Sequence, residues 1–266
     1  MRKIVMKSAI LAFAAPLAWM SSAGHASSDD IADIAKGVMA AGHDVPSART
    51  LSDACAGDAL CVARFLKDRI GDGAQIIPDI GTHSKRSRWQ AMGPGLHRTL
   101  EDGNGQLFLV FARYDAEAVM AALNNAKPAT RKIILDLREV QHGDDLDGMR
   151  RVAALFIGKT DRAFQLDYST GKHVEWTIMP PLRTIEAESI EVWIDQETDA
   201  VGEVFASLLR THAGAVILGQ QPAARGYLST VIPVTHGWSL SVPTARISIK
   251  GTDFNVGLIP DGAIPE

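Results

Sequence analysis

The stretch Ile190–Gly226 has the layout of a site for nucleophilic catalysis. Its sequence predicts a strand, a loop, a helix, a second strand and a glycine-rich turn. A serine or cysteine at the start of such a helix can attack a substrate when a neighbouring base takes its proton. The loop before the helix contains Thr198, Asp199 and Ala200, and neither a serine nor a cysteine. The layout of a catalytic site is therefore present without the expected nucleophile.

A second group of reactive side chains lies in His142–Asp147, which contains one histidine and three carboxylates. These groups follow a predicted buried strand, at the end where ligands bind in α/β sheets, and they could hold a metal ion. Their spacing matches no complete ligand set, so we favour a polar loop that caps a helix beginning near Asp147. The sequence accordingly predicts no metal and no cofactor.

Serines elsewhere in the chain have the wrong context for catalysis. Ser169–Lys172 matches the Ser-x-x-Lys motif of penicillin-recognising enzymes, but there the motif begins a helix. Here alternating strands flank the motif, and Gly171 stands where a hairpin turn favours glycine. Ser207 falls in the middle of a helix and Ser229 begins a strand, so we expect both to be structural.

The elements around these segments predict an α/β fold. Leu107–Phe111 reads as a buried strand, and Asp115 can cap a helix that runs to about Asn124. Lys132–Arg138 reads as a second buried strand, and a helix follows from about residue 147 to residue 156. An order of strand, helix, strand and helix implies parallel pairing, and hence a mixed sheet with packed helices.

The regions on either side of this core have different patterns. The sequence of residues 27–80 predicts a small helical segment. Residues 71–105 are expected to form loops and short strands, and residues 81–266 are predicted to form the core domain. Towards the C-terminus, Val231–Val234 and Ser239–Val242 predict a hairpin, and Ala245–Ile249 predicts a further strand.

Residues 1–26 predict an export signal. Three positive residues precede the apolar run Ala9–Met20, and small residues follow it, which is typical of a secretory signal peptide. A membrane anchor is the alternative, but the run is short for a span of about 20 residues and Pro16 interrupts it. We therefore expect cleavage after Ala26, no membrane span afterwards, and a periplasmic or secreted product.

Charge and cysteine content limit the classes of partner and site. The formal net charge is −4, and an acidic chain lacks the electrostatic footprint of a nucleic-acid-binding protein. Cys55 and Cys61 are the two cysteines, and in an oxidising compartment they can form a disulfide. A bridge requires a break in the helix near Ala56–Asp58, because residues six apart do not share a helical face; free thiols are the alternative. Two cysteines alone fall short of a zinc ligand set.

Several local sequences resemble the carboxyl-terminal processing proteases, also called tail-specific proteases, of the ClpP/crotonase-like superfamily. Ile134–Arg138 is similar to that family's Ile-Leu-Asp-Leu-Arg strand, and Ala215–Gly219 to its second strand and the following glycine. Thr230–Pro233 and Thr244–Arg246 resemble strands after the site, and Gly257–Asp261 resembles the closing Gly-x-x-Pro-Asp. The resemblance implies a ClpP/crotonase-like core. The loop-rich gap before it is too short for the PDZ domain that often accompanies this fold, since such a domain needs about 80–100 residues.

The resemblance implies a serine–lysine dyad, in which a buried lysine with a lowered pKa is the general base. With Glu203 and Gly219 as anchors, the nucleophile position falls on Ala200 and the base position on Arg225. Alanine has no nucleophilic atom, and arginine keeps its proton at any ordinary pH. The resemblance therefore implies a degenerate site in which both members of the dyad are lost.

The remaining positions of the family's site also depart from its pattern. The first serine of its Ser-Ala-Ser-Ala-Ser-Glu segment falls on Thr198, and the last serine falls on Gly202. A polar helper after the lysine falls on Ser229, and the Gly-Gly pair of the oxyanion loop falls on His142 and Gly143.

Two functions from different classes follow from this pattern. The first is an exported pseudoprotease that binds a peptide or protein segment, partly by strand addition. Arg225 could hold a carboxylate, including a free peptide C-terminus, in a bidentate pair, with Thr198 and Asp199 as further ligand-binding candidates. An ion pair of Arg225 with Glu203 or Asp199 is an equal alternative for this residue. The second function is an active serine-type peptidase with a rearranged site. The sequence sets no oligomeric state.

Overall fold

The computed structural model describes residues 28–78, 96–101, 105–126, 131–138, 140, 145–179, 185, 187–222, 226–235, 237–250, 252, 254 and 257–265. Residues 1–26, the predicted signal peptide, lie outside the described residues. Within the described ranges, no helix is both long enough and apolar enough to cross a bilayer.

The described residues contain six helices and ten strands. The helices are α1 (Ser28–Ala40), α2 (Ala48–Ala54), α3 (Ala59–Ile70), α4 (Ala116–Asn125), α5 (Leu146–Ile157) and α6 (Ala200–Ala213). The strands are β1 (Gln75–Pro78), β2 (Leu96–Glu101), β3 (Gln106–Phe111), β4 (Lys132–Asp136), β5 (Thr160–Tyr168), β6 (His173–Ile178), β7 (Ser189–Ile194), β8 (Val216–Gly219), β9 (Tyr227–Thr235) and β10 (Trp238–Ser248).

One sheet has the order β2-β3-β4-β7-β8 and carries the candidate site. Its pairs β3–β4, β4–β7 and β7–β8 are parallel, as the alternation of strands and helices predicts, and β2 joins β3 in antiparallel fashion. Alternate residues of β3 are buried, and they share a core with α4, α5 and α6. The α/β prediction, with a mixed sheet and packed helices, is therefore confirmed.

The second sheet is antiparallel throughout and has the order β1-β10-β5-β6, with β9 also paired to β10. Both predicted hairpins are present, as β5–β6 and β9–β10. The separate strand predicted at Ala245–Ile249 is wrong, because β10 runs without interruption from Trp238 to Ser248. A register shift between Pro243 and Ala245 accommodates the proline within the strand.

Helices α1, α2 and α3 form a layer over β9 and β10 with a hydrophobic core of its own. Ile31, Val62 and Leu66 are at most 1% exposed, and they share this core with Ile232 and Leu240 of the sheet. The layer is joined to β10 by a hydrogen bond of 2.6 Å between His43 Nε2 and the Pro243 carbonyl. The small helical segment thus lies on the second sheet, remote in the chain from the strands that it covers.

Cys55 and Cys61 form a disulfide with a Cα–Cα distance of 5.6 Å. The helical pattern breaks between them, because α2 ends at Ala54 and α3 begins at Ala59. Ala56 and Gly57 have φ values of 49° and 78°, so the turn uses the left-handed region twice.

The segment Gly257–Gly262, called the closing segment below, covers the β8 edge of the first sheet through Asp261 and Gly262. The Asp261 amide donates to the Ile217 carbonyl at 2.6 Å, and the Asp261 carboxylate accepts from the Ile217 amide at 2.7 Å. The Gly219 amide donates to the Gly262 carbonyl at 2.8 Å, and Leu218 pairs with Gly262 in parallel. The segment therefore behaves as a short additional strand.

Candidate functional site

Ala200 is the first residue of α6, and Asp199 is the N-cap. The Asp199 carboxylate accepts a hydrogen bond of 2.8 Å from the Gly202 amide, and its carbonyl accepts one of 2.9 Å from the Glu203 amide. The Asp199 carboxylate thereby satisfies one donor that a helix leaves open at its N-terminus, and the Asp199 carbonyl accepts the first hydrogen bond within the helix. Ala200 itself is only 6% exposed, so its methyl group is packed against the protein.

The hydroxyl of Thr198 is committed to the loop that precedes α6. It accepts a hydrogen bond of 3.0 Å from the Asp195 amide and lies 3.3 Å from an oxygen of the Asp195 carboxylate, to which it donates. Thr198 is 4% exposed, so this hydroxyl stabilises the loop from within.

The Glu203 carboxylate is fully buried and joins three parts of the chain. One oxygen accepts from the Gly226 amide at 2.9 Å, and the other accepts from the Leu258 amide at 3.2 Å. The first turn of α6 is therefore tied both to the turn that follows Arg225 and to the closing segment. Arg225 itself lies outside the described residues.

Gly219 fixes the approach of β8 to β7. A Cβ built on Gly219 would lie 1.9 Å from the Ile194 carbonyl oxygen, and the φ of Gly219 is 126°. No other residue fits this position without moving backbone. Glu203 and Gly219, the two anchors of the sequence comparison, thus both have a demonstrable structural role.

Tyr114 lies between the first turns of α5 and α6, and sequence reasoning missed it. A Cβ built on Gly202 would lie 3.7 Å from its hydroxyl and 2.6 Å from the Thr198 Cγ2, so a glycine is needed there. Burial, together with the carboxylates of Asp199 and Asp145, raises the pKa of Tyr114 well above its usual value. Within the described residues its buried hydroxyl has no hydrogen-bond partner. The contact joins parts of the chain that are distant in sequence, so no local pattern could have indicated it.

The start of α5 lies on the other side of Tyr114. Asp145 is the N-cap and accepts a hydrogen bond of 2.7 Å from the Gly148 amide, so the helix begins at Leu146. Asp147 pairs with Arg150 at 2.7 Å. Among the described residues, no group of three or more histidine, cysteine or acidic side chains could hold a metal ion. His142 and Gly143, assigned to the oxyanion loop, lie outside the described residues.

The serines considered from the sequence occupy structural positions. Ser207 is 1% exposed within α6. Ser229 lies in β9 opposite Pro243. The Ser169 hydroxyl donates to the carbonyls of Ala41 and Thr244, the latter at 3.2 Å, so it anchors the β5–β6 turn to α1 and β10.

Comparison with known proteins agrees with this architecture. The model of peptidase family S41 matches residues 109–264. No curated protein matches the sequence. Among solved structures, a lipoprotein from Streptococcus agalactiae is similar with a TM-score of 0.57 and 14% identity, over 90% of this chain and 92% of that chain.

Two further structures cover the shared core. A putative S41 protease from Bacteroides fragilis has a TM-score of 0.52 and 16% identity over 65% of this chain and 51% of its own. The photosystem II D1 C-terminal processing protease has a TM-score of 0.48 and 19% identity over 73% of this chain and 48% of its own. The chain thus spans about half the length of these two proteins. The family match extends over more than half of the chain and confirms the resemblance to the tail-specific proteases: this protein belongs to peptidase family S41.

Proposed function

We propose that this protein is a catalytically inactive S41 family member that binds peptide or protein segments. The observation that carries the proposal is Ala200 at the first position of α6, the position to which the sequence resemblance assigns the family's nucleophile. The side chain that would attack a peptide bond is a methyl group at this position. The hydroxyl two residues earlier, on Thr198, is buried and bonded to Asp195.

The frame around Ala200 remains intact although its chemistry is lost. The Glu203 carboxylate still ties the helix start to Gly226 and Leu258, and Gly219 still permits the close approach of two strands. Burying a carboxylate is costly unless it is well hydrogen-bonded, as Glu203 is. Retention of such an element without a nucleophile supports a binding role for the start of α6.

Arg225 is the proposed ligand-binding residue at the base position. It adjoins Gly226, whose amide is held by Glu203 at 2.9 Å, so the backbone beside it is anchored. A guanidinium can hold a carboxylate through two parallel hydrogen bonds, and a free peptide C-terminus offers that group. Thr198 and Asp199 border the same helix start.

We also propose that the protein is exported, on the strength of the signal-like pattern in residues 1–26. An exported product should be recovered from the periplasm or medium with residues 1–26 removed. Intact-mass measurement of the recovered protein checks this, and a product that retains residues 1–26 contradicts it.

Absence of catalysis is tested with a fluorophosphonate probe and a panel of labelled peptides. We expect no serine labelling and no hydrolysis by the wild-type protein. Ala200→Ser alone should stay inactive because Arg225, at the proposed base position, keeps its proton, whereas Ala200→Ser combined with Arg225→Lys should become labelled at residue 200. Labelling of any serine in the wild-type protein would instead favour an active peptidase with a rearranged site.

Binding is tested by fluorescence anisotropy with peptide pairs that differ only in a free or amidated C-terminus. We expect the free carboxylate to bind about tenfold more tightly, since charged hydrogen bonds contribute roughly 1.5–3 kcal/mol. Arg225→Gln should remove the difference, and Arg64→Gln, which removes a positive charge from the exposed face of α3, should retain it. Equal affinities for both peptides in the wild-type protein would contradict the assignment of Arg225.

A further inference from the structure

A cavity of about 330 Å³ lies where the start of α5 faces the two hairpins of the second sheet. Its wall on the helix side is formed by Asp145, Leu146 and Asp147, and its opposite wall includes Tyr168 and Trp176. Ligand pockets begin at about 300 Å³, so this cavity has room for one long side chain rather than for a peptide segment.

The two carboxylates of the cavity are accessible and incompletely engaged. Asp145 and Asp147 are both exposed residues. Asp145 accepts one hydrogen bond, from the Gly148 amide, and Asp147 pairs with Arg150 through one oxygen. Each carboxylate can accept further hydrogen bonds, so the helix side of the cavity favours a cationic group over an anionic one.

The aromatic wall already attracts cations of this chain. The Arg150 guanidinium lies 4.7 Å from the centre of the Trp176 ring, and the Lys172 ammonium lies 6.0 Å from the centre of the Tyr168 ring. Both distances are within the range of cation–π attraction. Phe164 stacks on Trp176 at 5.5 Å and 10°, which holds the indole in place.

The cavity lies close to the start of α6 around Ala200, where Glu203 binds the Gly226 and Leu258 amides. We call this part of the structure the corner. Leu228, which also lines the cavity, follows two residues after Gly226, whose amide is bound by Glu203. Its carbonyl accepts a hydrogen bond of 3.1 Å from the hydroxyl of Thr244, another residue of the lining. On the helix side, Asp145 and the Tyr114 carbonyl both lie against Gly148, and the Tyr114 hydroxyl lies near Gly202 in the first turn of α6. We therefore infer that a side chain of a peptide held beside Ala200 can enter the cavity.

We propose that this cavity receives a lysine or arginine side chain of the bound peptide, between the carboxylates of Asp145 and Asp147 and the ring of Tyr168. The proposal rests on the peptide-binding function proposed above and gives that function a sequence preference. The aliphatic part of the side chain packs on Leu228, and its charged end meets the carboxylates.

The test uses peptide pairs that carry either lysine or norleucine at one position, scanned along the peptide and measured by anisotropy. We expect a preference for lysine of about tenfold at one position, the combined effect of ion pairing and cation–π attraction. Asp145→Asn combined with Asp147→Asn should reduce the preference to about twofold, since asparagine keeps the N-cap and removes the charge. Asp53→Asn on exposed α2 is the matched control and should leave the preference intact.

A second titration separates this proposal from the peptide-binding function. N-acetyl-lysine methylamide or its norleucine counterpart is added to the full protein. The indole N–H signal of Trp176 is followed by NMR during each titration. The Trp176→Phe variant, which lacks this signal, provides its assignment. Peptides that bind without a lysine preference overturn the cavity assignment alone. If no peptide binds, the peptide-binding function fails, and a lysine-specific shift of Trp176 then shows that the cavity's cation preference stands by itself. Absence of both responses overturns both proposals.

Discussion

The corner at the start of α6 and the layer formed by α1, α2 and α3 are stabilised by different physical means. The corner is organised by polar groups: the buried Glu203 carboxylate binds two backbone amides, and Asp199 caps the helix. The layer is organised by apolar side chains that are almost fully buried against β9 and β10, with one disulfide. Hydrogen bonds of this kind require their donors and acceptors to lie within a narrow range of distances and angles. Apolar packing, in contrast, tolerates the exchange of side chains of similar size.

This difference bears on how the corner is held in place. A buried carboxylate has a large desolvation cost. The hydrogen bonds that Glu203 accepts from two backbone amides offset this cost. An apolar residue at position 203 would avoid that cost but would release Gly226 and Leu258. The carboxylate therefore fixes the positions of the Gly226 and Leu258 amides, which an apolar side chain could not do.

The largest effect should come from Glu203→Ala. The substitution leaves two buried amides without acceptors and creates a cavity, so we expect the free energy of unfolding to fall by about 3 kcal/mol. Urea denaturation measures it, with Glu117→Gln on the exposed side of α4 as a control that should change stability by less than about 1 kcal/mol. A loss for Glu203→Ala as small as that of the control would show that the corner does not depend on its polar contacts.

A smaller loss is expected from removal of the disulfide. Cys55→Ala combined with Cys61→Ala releases a short loop, and the chain-entropy relation gives a loss of about 2 kcal/mol. Hydrogen exchange should rise in α2 and α3 and remain unchanged at the start of α6. Wild-type protein under reducing conditions is the control and should show the same loss. Faster exchange in α6 would mean that the layer and the corner unfold together, contrary to the distinction drawn between them.

The smallest effect at neutral pH should come from Tyr114→Phe. The hydroxyl has no acceptor in the described structure, so its removal should change the free energy of unfolding by less than about 1 kcal/mol. The pKa of Tyr114 is raised in the folded protein, so its contribution is fully present below pH 10 and is lost as the pH rises above 10, where the unfolded chain ionises first. Stability measured between pH 8 and pH 11 should therefore decline less in the variant. An equal decline in both proteins would place the Tyr114 hydroxyl in contact with solvent.

Local patterns predict much of the fold, because they depend on neighbouring residues. Asp115 caps α4 as its position indicates, and the parallel pairing of β3 and β4 follows from the helix between them. The strand predicted separately at Ala245–Ile249 is instead part of β10, in which Pro243 lies at an irregular position.

The candidate site is less predictable, because its contacts join distant parts of the chain. The bond between Glu203 and the Leu258 amide spans 55 residues, and the approach of Tyr114 to Gly202 depends on how two helices pack on one sheet. Family resemblance could place Glu203 as an anchor, but only the packed structure shows what it binds. Asp145 was predictable in part. The sequence predicts a polar loop that caps the helix, and the structure shows that Asp145 is the capping residue.

The strand-like pairing of Gly262 with Leu218 has a consequence for solubility. The β8 edge would otherwise present the amides of Ile217 and Gly219 to solvent, and such an edge can recruit strands from other molecules. With Asp261 and Gly262 in place, those amides are already bonded within the chain. Asp261 and Gly262 thus cover the edge strand and oppose the formation of intermolecular β-sheets.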